Sequence, residues 1–126
     1  MEADDLNISI HRDGSIIGRL AVELAISEEE ARRGLMFRRS LEGGRGMLIR
    51  NPFQAEMTIW MRNTLIPLDV IFLDEDWRVM QIVRDLDPMS ERVHVSESGA
   101  IAAIEVLAGT VARMGVETGD HVYRDP

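Results

Sequence analysis

Trp60, Arg62, Asn63, Thr64 and Asp69 lie within the ten-residue block Trp60-Met61-Arg62-Asn63-Thr64-Leu65-Ile66-Pro67-Leu68-Asp69. An indole face beside guanidinium, amide, hydroxyl and carboxylate groups is the means by which concave sites hold sugars and other polar small molecules. Arg33 and Arg38 flank the end of a predicted helix and offer planar, bidentate contacts to an anionic group. These seven residues form the candidate ligand-binding set. A competing reading is structural: Trp60 covers a second hydrophobic layer, and Asp69 accepts backbone N–H bonds in the loop at 63–68 or pairs with Arg38.

Glu105 is the one carboxylate within the apolar run 100–107. Buried without a partner, it would have a raised pKa and could act as a general acid or base; facing a strand edge or meeting an arginine, it would be structural. With Asp69 it defines the alternative reading, a hydrolytic enzyme working through a carboxylate base. Other chemistries find less support. Met36, Met47, Met57 and Met61 are soft thioethers suited to Cu(I), but all four sit in apolar patterns where methionine fills core gaps. His11, His94 and His121 lack metal-ligand spacing, so no metal or cofactor is expected. Ser96 or Ser98 with His94 and Asp69 lacks the G-x-S-x-G elbow. Gly43-Gly44-Arg45-Gly46 lacks the G-K-[ST] end of a phosphate loop.

The elements that position these groups read as mainly β. Leu6, Ile8 and Ile10, then Leu20, Val22, Leu24 and Ile26, alternate with polar or small residues around Asp13-Gly14, the pattern of a β-hairpin. Ser27 and Glu30 form an S-x-x-E capping box. Three glutamates occupy the first turn, with Arg32 and Arg33 in the last, so the spacing predicts a two-turn helix ended by Gly34 and supported by Glu28–Arg32 and Glu29–Arg33 pairs. Asn51-Pro52 signals a turn. Alternation from Glu56 to Arg62 predicts a strand with Trp60 and Arg62 opposite Met57, Ile59 and Met61. Residues 70–73 suit a central strand and 78–84 its return. After a long loop with a short strand near 92–95 come the apolar run 100–107, a helical turn between Gly109 and Gly115, and a last strand at 121–123. The expectation is a single domain, 1–126, with residues 1–5 as a tail. Its fold class is a jelly-roll-like sandwich or distorted β-barrel, with one short capped helix and one further helical turn.

Composition narrows the partners. The 126 residues include 22 acidic and 14 basic ones, for a net charge of -8 and no cysteine. Phosphate-backbone binding depends on clustered cations, so no nucleic-acid role is expected. No apolar run is long enough for a membrane span, and the start of the chain has no basic–apolar leader. Every basic residue is arginine, the residue that makes bidentate contacts lysine cannot make. The absence of cysteine removes thiol catalysis, thiolate metal sites and disulfides together.

Several segments together resemble a known family: residues 33–38, Gly46-Met47-Leu48, residues 60–72, residues 105–110 and Gly119-Asp120. They are similar to the small bacterial and archaeal domains of unknown function 192, over about residues 31–122, and the W-M-x-N-T-x-I-P-L-D block is the specific part. The resemblance implies a compact, mainly β fold and an exported, periplasmic or extracellular protein. It implies no activity. The leading expectation is therefore an exported β-domain that binds a carbohydrate or anionic group. A hydrolase and a protein-interaction module without a small ligand stand as alternatives.

Overall fold

The computed structural model describes residues 5–126, and of the expected tail residues 1–4 lie outside it. Asp5 belongs to the fold, because its carboxylate accepts from the Arg45 guanidinium.

Among the described residues, nine strands and two short helices follow one another. They are β1 (Leu6–Arg12), β2 (Ser15–Ala25), α1 (Glu28–Arg33), β3 (Arg45–Ala55), β4 (Thr58–Ile59), β5 (Leu68–Leu73), β6 (Val79–Leu86), β7 (His94–Val95), β8 (Ala100–Leu107), α2 (Thr110–Met114) and β9 (His121–Arg124). Seven strands form one sheet in the order β6-β5-β8-β3-β2-β1-β9, while β4 and β7 pair separately. Among the described strands, β2 and β3 run parallel and the other pairs antiparallel. Asp13 and Gly14 both take positive φ, 50° and 81°, as a two-residue hairpin turn between right-twisted strands demands.

The large sheet curls until its last strand reaches the turn before β6. Val122 N donates to Trp77 O and Val79 N to Asp120 O, around a single Arg78–His121 bridge. The curl stops short of a closed barrel. Its inside is filled by a cluster drawn from both edges and the centre, including Ile8, Ile10, Val22, Leu48, Ile71, Ile104 and Val122. The outer face of β3, β5 and β8 carries a second cluster around Met47, Ile49, Val70, Phe72 and Ala103. Leu35 and Leu41 from the segment after α1, with Met57, Ile59, Met61 and Ile66, cover that outer face. Burying these groups at about 25 cal/mol per Å² is what holds an otherwise irregular segment against the sheet.

The four methionines of the sequence reading divide accordingly: Met47, Met57 and Met61 are core residues of the outer layer, and Met36 is half-buried. Two elements depart from their expected bounds. β3 runs through Asn51-Pro52 rather than turning there. Its pairing with β8 shifts register between Arg50 and Ala55, where a proline lacking its N–H is tolerated. The Asn51 amide bridges the irregularity by donating to Ala100 O at 3.0 Å and Ala55 O at 3.3 Å. The strand expected over 56–62 shrinks to β4, because Trp60 to Asn63 turn away, with Asn63 at φ 56°.

Candidate functional site

The capping box forms as predicted. Ser27 Oγ accepts from Glu30 N at 3.0 Å, and Glu30 Oε1 accepts from Ser27 N at 3.1 Å. The bonds that Glu30 Oε1 accepts from the Ser27 and Ile26 N–H groups hold its carboxyl below the usual carboxylate range, as bonds to the charged form do. α1 ends at Gly34, whose φ of 48° and ψ of -129° turn the chain sharply onto the sheet. This is backbone that glycine alone adopts without strain. Phe37 N then donates to Asn63 O at 2.8 Å, tying the segment after α1 to the loop that carries Trp60. Ser96 ties β4 to β7: its N–H donates to Met57 O, and its Oγ accepts from Met57 N at 3.0 Å.

Between these two segments lies a cleft of about 470 Å³, within the range of small-molecule pockets. Arg32, Arg33 and Met36 line one side, Glu56, Thr58 and Trp60 the other, and Thr64 and Glu105 also line it. Glu105 sits on central strand β8 beside Met47 on β3 and Val70 on β5. It is 5% exposed. Its Oε1 is fully buried and has no hydrogen-bond partner. Burial pushes its carboxyl up to about 7, since apolar surroundings disfavour the charged form. A Cβ on Gly34 would lie 3.2 Å from that Oε1, so the helix-ending glycine lets the backbone pass close to the carboxyl. The sequence-based alternatives for Glu105, a strand edge or an arginine partner, are both replaced by an unpaired carboxyl in a central strand.

Of the seven predicted site residues, Arg33, Trp60 and Thr64 line this cleft. Arg62 does not, but its guanidinium carbon lies 5.3 Å from the Trp60 ring centroid and stacks on the indole. Asn63 lies half-buried in the adjoining turn. Arg38 is turned elsewhere, forming a two-pronged pair with Glu23 on β2, one prong of 2.8 Å. That pairing holds the Glu23 carboxyl below its usual range.

Asp69 faces the other side of the sheet and is 1% exposed. Its Oδ1 accepts from Asp85 N at 3.0 Å, and its Oδ2 accepts from Gly109 N at 3.0 Å and Val111 N at 3.1 Å. It anchors the start of α2. The expectation that it shares a hollow with Trp60 is corrected by strand alternation: Leu68, Val70 and Phe72 face the outer layer, so the residue between the first two faces inward. The sequence reading passed over Arg32 and Glu56 as cleft residues. The i,i+4 spacing predicts Glu28–Arg32 and Glu29–Arg33 pairs, yet no ion pair joins either among the described residues. No group of acidic, histidine or cysteine side chains that could hold a metal ion occurs among the described residues. No helix there is long and apolar enough to cross a membrane.

A mainly β sheet curled around one core, with a second layer and a cleft on its outer face, defines a small mixed-sheet domain. The model of domain of unknown function 192, described as an uncharacterized ACR, matches residues 8–123, and the chain belongs to that family. Two crystal structures are similar over almost the whole chain. One, from Sinorhizobium meliloti, was described as a candidate transcription regulator; it is 31% identical, covers 95% of this chain and 93% of its own, and superposes with a TM-score of 0.91. The other, a protein of unknown function from Novosphingobium aromaticivorans, is 35% identical, covers 94% and 84%, and has a TM-score of 0.87. No curated protein matches the chain.

Proposed function

We propose that the chain is a small-molecule binding domain whose cleft, between the end of α1 and Trp60, takes a polar ligand of carbohydrate or anionic character. One observation carries this reading: the Glu105 Oε1 is buried and unpartnered in a residue that lines an open cleft. A buried polar atom without a partner costs about 1–3 kcal/mol, and a ligand donor reaching it recovers part of that. Trp60 adds a flat apolar surface and Arg33 a fork of donors. The net charge of -8 speaks against carrying the description of the Sinorhizobium relative over to this chain as phosphate-backbone binding.

The test is a panel of neutral, acidic and basic sugars and small anions, read by thermal shift and by two-dimensional NMR. Binding should perturb amide signals of residues 32–36 and 56–64, and Trp60→Ala should weaken it about tenfold or more. A panel without a single binder, or binding indifferent to Trp60→Ala, counts against the site.

Glu105 also favours a second reading, hydrolysis. A carboxyl titrating near 7 is suited to general acid–base work, and Glu56 supplies another carboxylate in the same cleft. Asp69 has no part in it, being committed to backbone donors. Turnover of a glycoside or ester that disappears in a folded Glu105→Gln variant would establish this reading. Export to the periplasm or beyond, carried only by the family resemblance, is tested by fractionating cells that express the full-length gene.

A further inference from the structure

The cleft is charged in a graded way. At its floor stands a single carboxyl, with Met47 and Val70 as apolar cross-strand neighbours. Around it, the charged groups are Arg32 and Arg33 from α1 and Glu56 from the stretch between β3 and β4. Arg32 and Arg33 are exposed and make no ion pair among the described residues. A complementary ligand presents hydrogen-bond donors inward and a negative charge outward, with a flat body between to lie on Trp60. A neutral sugar leaves the arginine pair unused. A simple anion reaches the arginines but leaves the floor unsatisfied.

We propose that the cleft takes an acidic saccharide of the uronic acid class, its hydroxyl groups donating to Glu105, its ring against Trp60 and its carboxylate held by Arg32 and Arg33. This rests on the binding reading above and specifies its ligand. A planar guanidinium fork matches a carboxylate in a way that no hydroxyl does, which makes the acid group the selected feature. Hydroxyl donors favour the ionised form of Glu105, so binding releases a proton where that carboxyl is protonated beforehand. Affinity therefore rises with pH across neutrality. For a carboxyl titrating at about 7, the competent fraction grows about tenfold between pH 6 and pH 8.

The experiment is calorimetry on the full chain with glucuronate and galacturonate against glucose and galactose, at pH 6 and pH 8. A circular-dichroism check is made on every variant. The inference requires an acidic sugar to bind at least about tenfold tighter than its neutral counterpart, loss of that preference in Arg32→Ala/Arg33→Ala, and about tenfold tighter binding at pH 8 than at pH 6. Glu105→Gln should flatten the pH dependence while keeping the acid preference. Equal binding of acidic and neutral sugars overturns the acid selection and leaves the binding site standing. Tighter binding at low pH overturns the orientation, because a carboxylate brought to the floor takes up a proton instead. Binding by other members of the wider panel, but by no uronate, overturns the ligand class. If nothing in the wider panel binds, the reading of the cleft as a ligand site fails with it.

Discussion

Asp69 and Glu105 stand on neighbouring strands of one sheet, each opposite the residue next to the other: Asp69 pairs with Val106, and Glu105 with Val70. Both are buried. Asp69, on the inner face, accepts three backbone N–H bonds. Glu105, on the outer face, has an Oε1 that accepts none. Burial does not separate these two carboxylates; what surrounds each one does. Asp69 meets an irregularity in β6 at Asp85 and the start of α2, whose orphan donors need an acceptor. Glu105 meets the closely packed backbone of the Gly34 turn, which brings no donor to its Oε1. The first completes the fold, and the second is the group to which the proposed ligand is assigned.

Removing the structural member should have the largest effect. Asp69→Ala strands the N–H groups of Asp85, Gly109 and Val111, and should destabilise the chain by roughly 3–5 kcal/mol in urea unfolding. Asp69→Asn should fall between the variant and the wild type, because its amide retains one acceptor oxygen.

Glu105 should produce the next effect, and through pH. Its carboxyl is raised from 4.5 to about 7 in the folded chain, so between those values the folded state holds a proton that the unfolded chain has lost. Stability from this group is fully present below about pH 4.5 and declines as pH rises through about 7, by about 3 kcal/mol in all. Unfolding curves from pH 5 to pH 8, wild type against Glu105→Gln, isolate the effect: the difference should drift in the variant's favour with rising pH. A constant difference would contradict a raised Glu105 carboxyl.

Gly34→Ala sharpens the comparison at the turn. Its φ of 48° is strained for any side chain, and the change should destabilise by about 1–3 kcal/mol. The added Cβ should also crowd the Glu105 carboxyl and weaken ligand binding more than a remote variant of equal stability. The smallest effect is expected at the rim, where Arg62→Ala removes an exposed cation–π contact of about 0.5–1 kcal/mol while leaving the floor untouched.

How far these features can be read from the chain follows from how local their causes are. The Asp13-Gly14 hairpin, the Ser27–Glu30 cap and the Gly109–Gly115 helical turn each depend on residues a few positions apart, and all three form as expected. Membership of the family is carried by contiguous blocks and holds across residues 8–123. Arg38 reads as a candidate ligand residue because its partner Glu23 lies on β2, beyond the reach of local patterning. Asp69 was misplaced for a different reason. The alternation that puts it opposite Leu68 and Val70 is present in the sequence, but the run of polar residues from Trp60 reads as one surface although Pro67 interrupts it. The oddity of Glu105 was visible as one charge in an apolar run. That it lacks a partner, and that Gly34, Thr58 and Trp60 border the same cleft from distant segments, is set by the folded chain alone.

The contrast between the two carboxylates is most directly tested by following the Glu105 side-chain carboxyl in a protein labelled with ¹³C-glutamate, its signal assigned by loss in Glu105→Gln. A midpoint near 7 is expected in the free protein, moving down when an acidic sugar is bound. A midpoint at the ordinary glutamate value near 4.5, unmoved by any ligand, would contradict it.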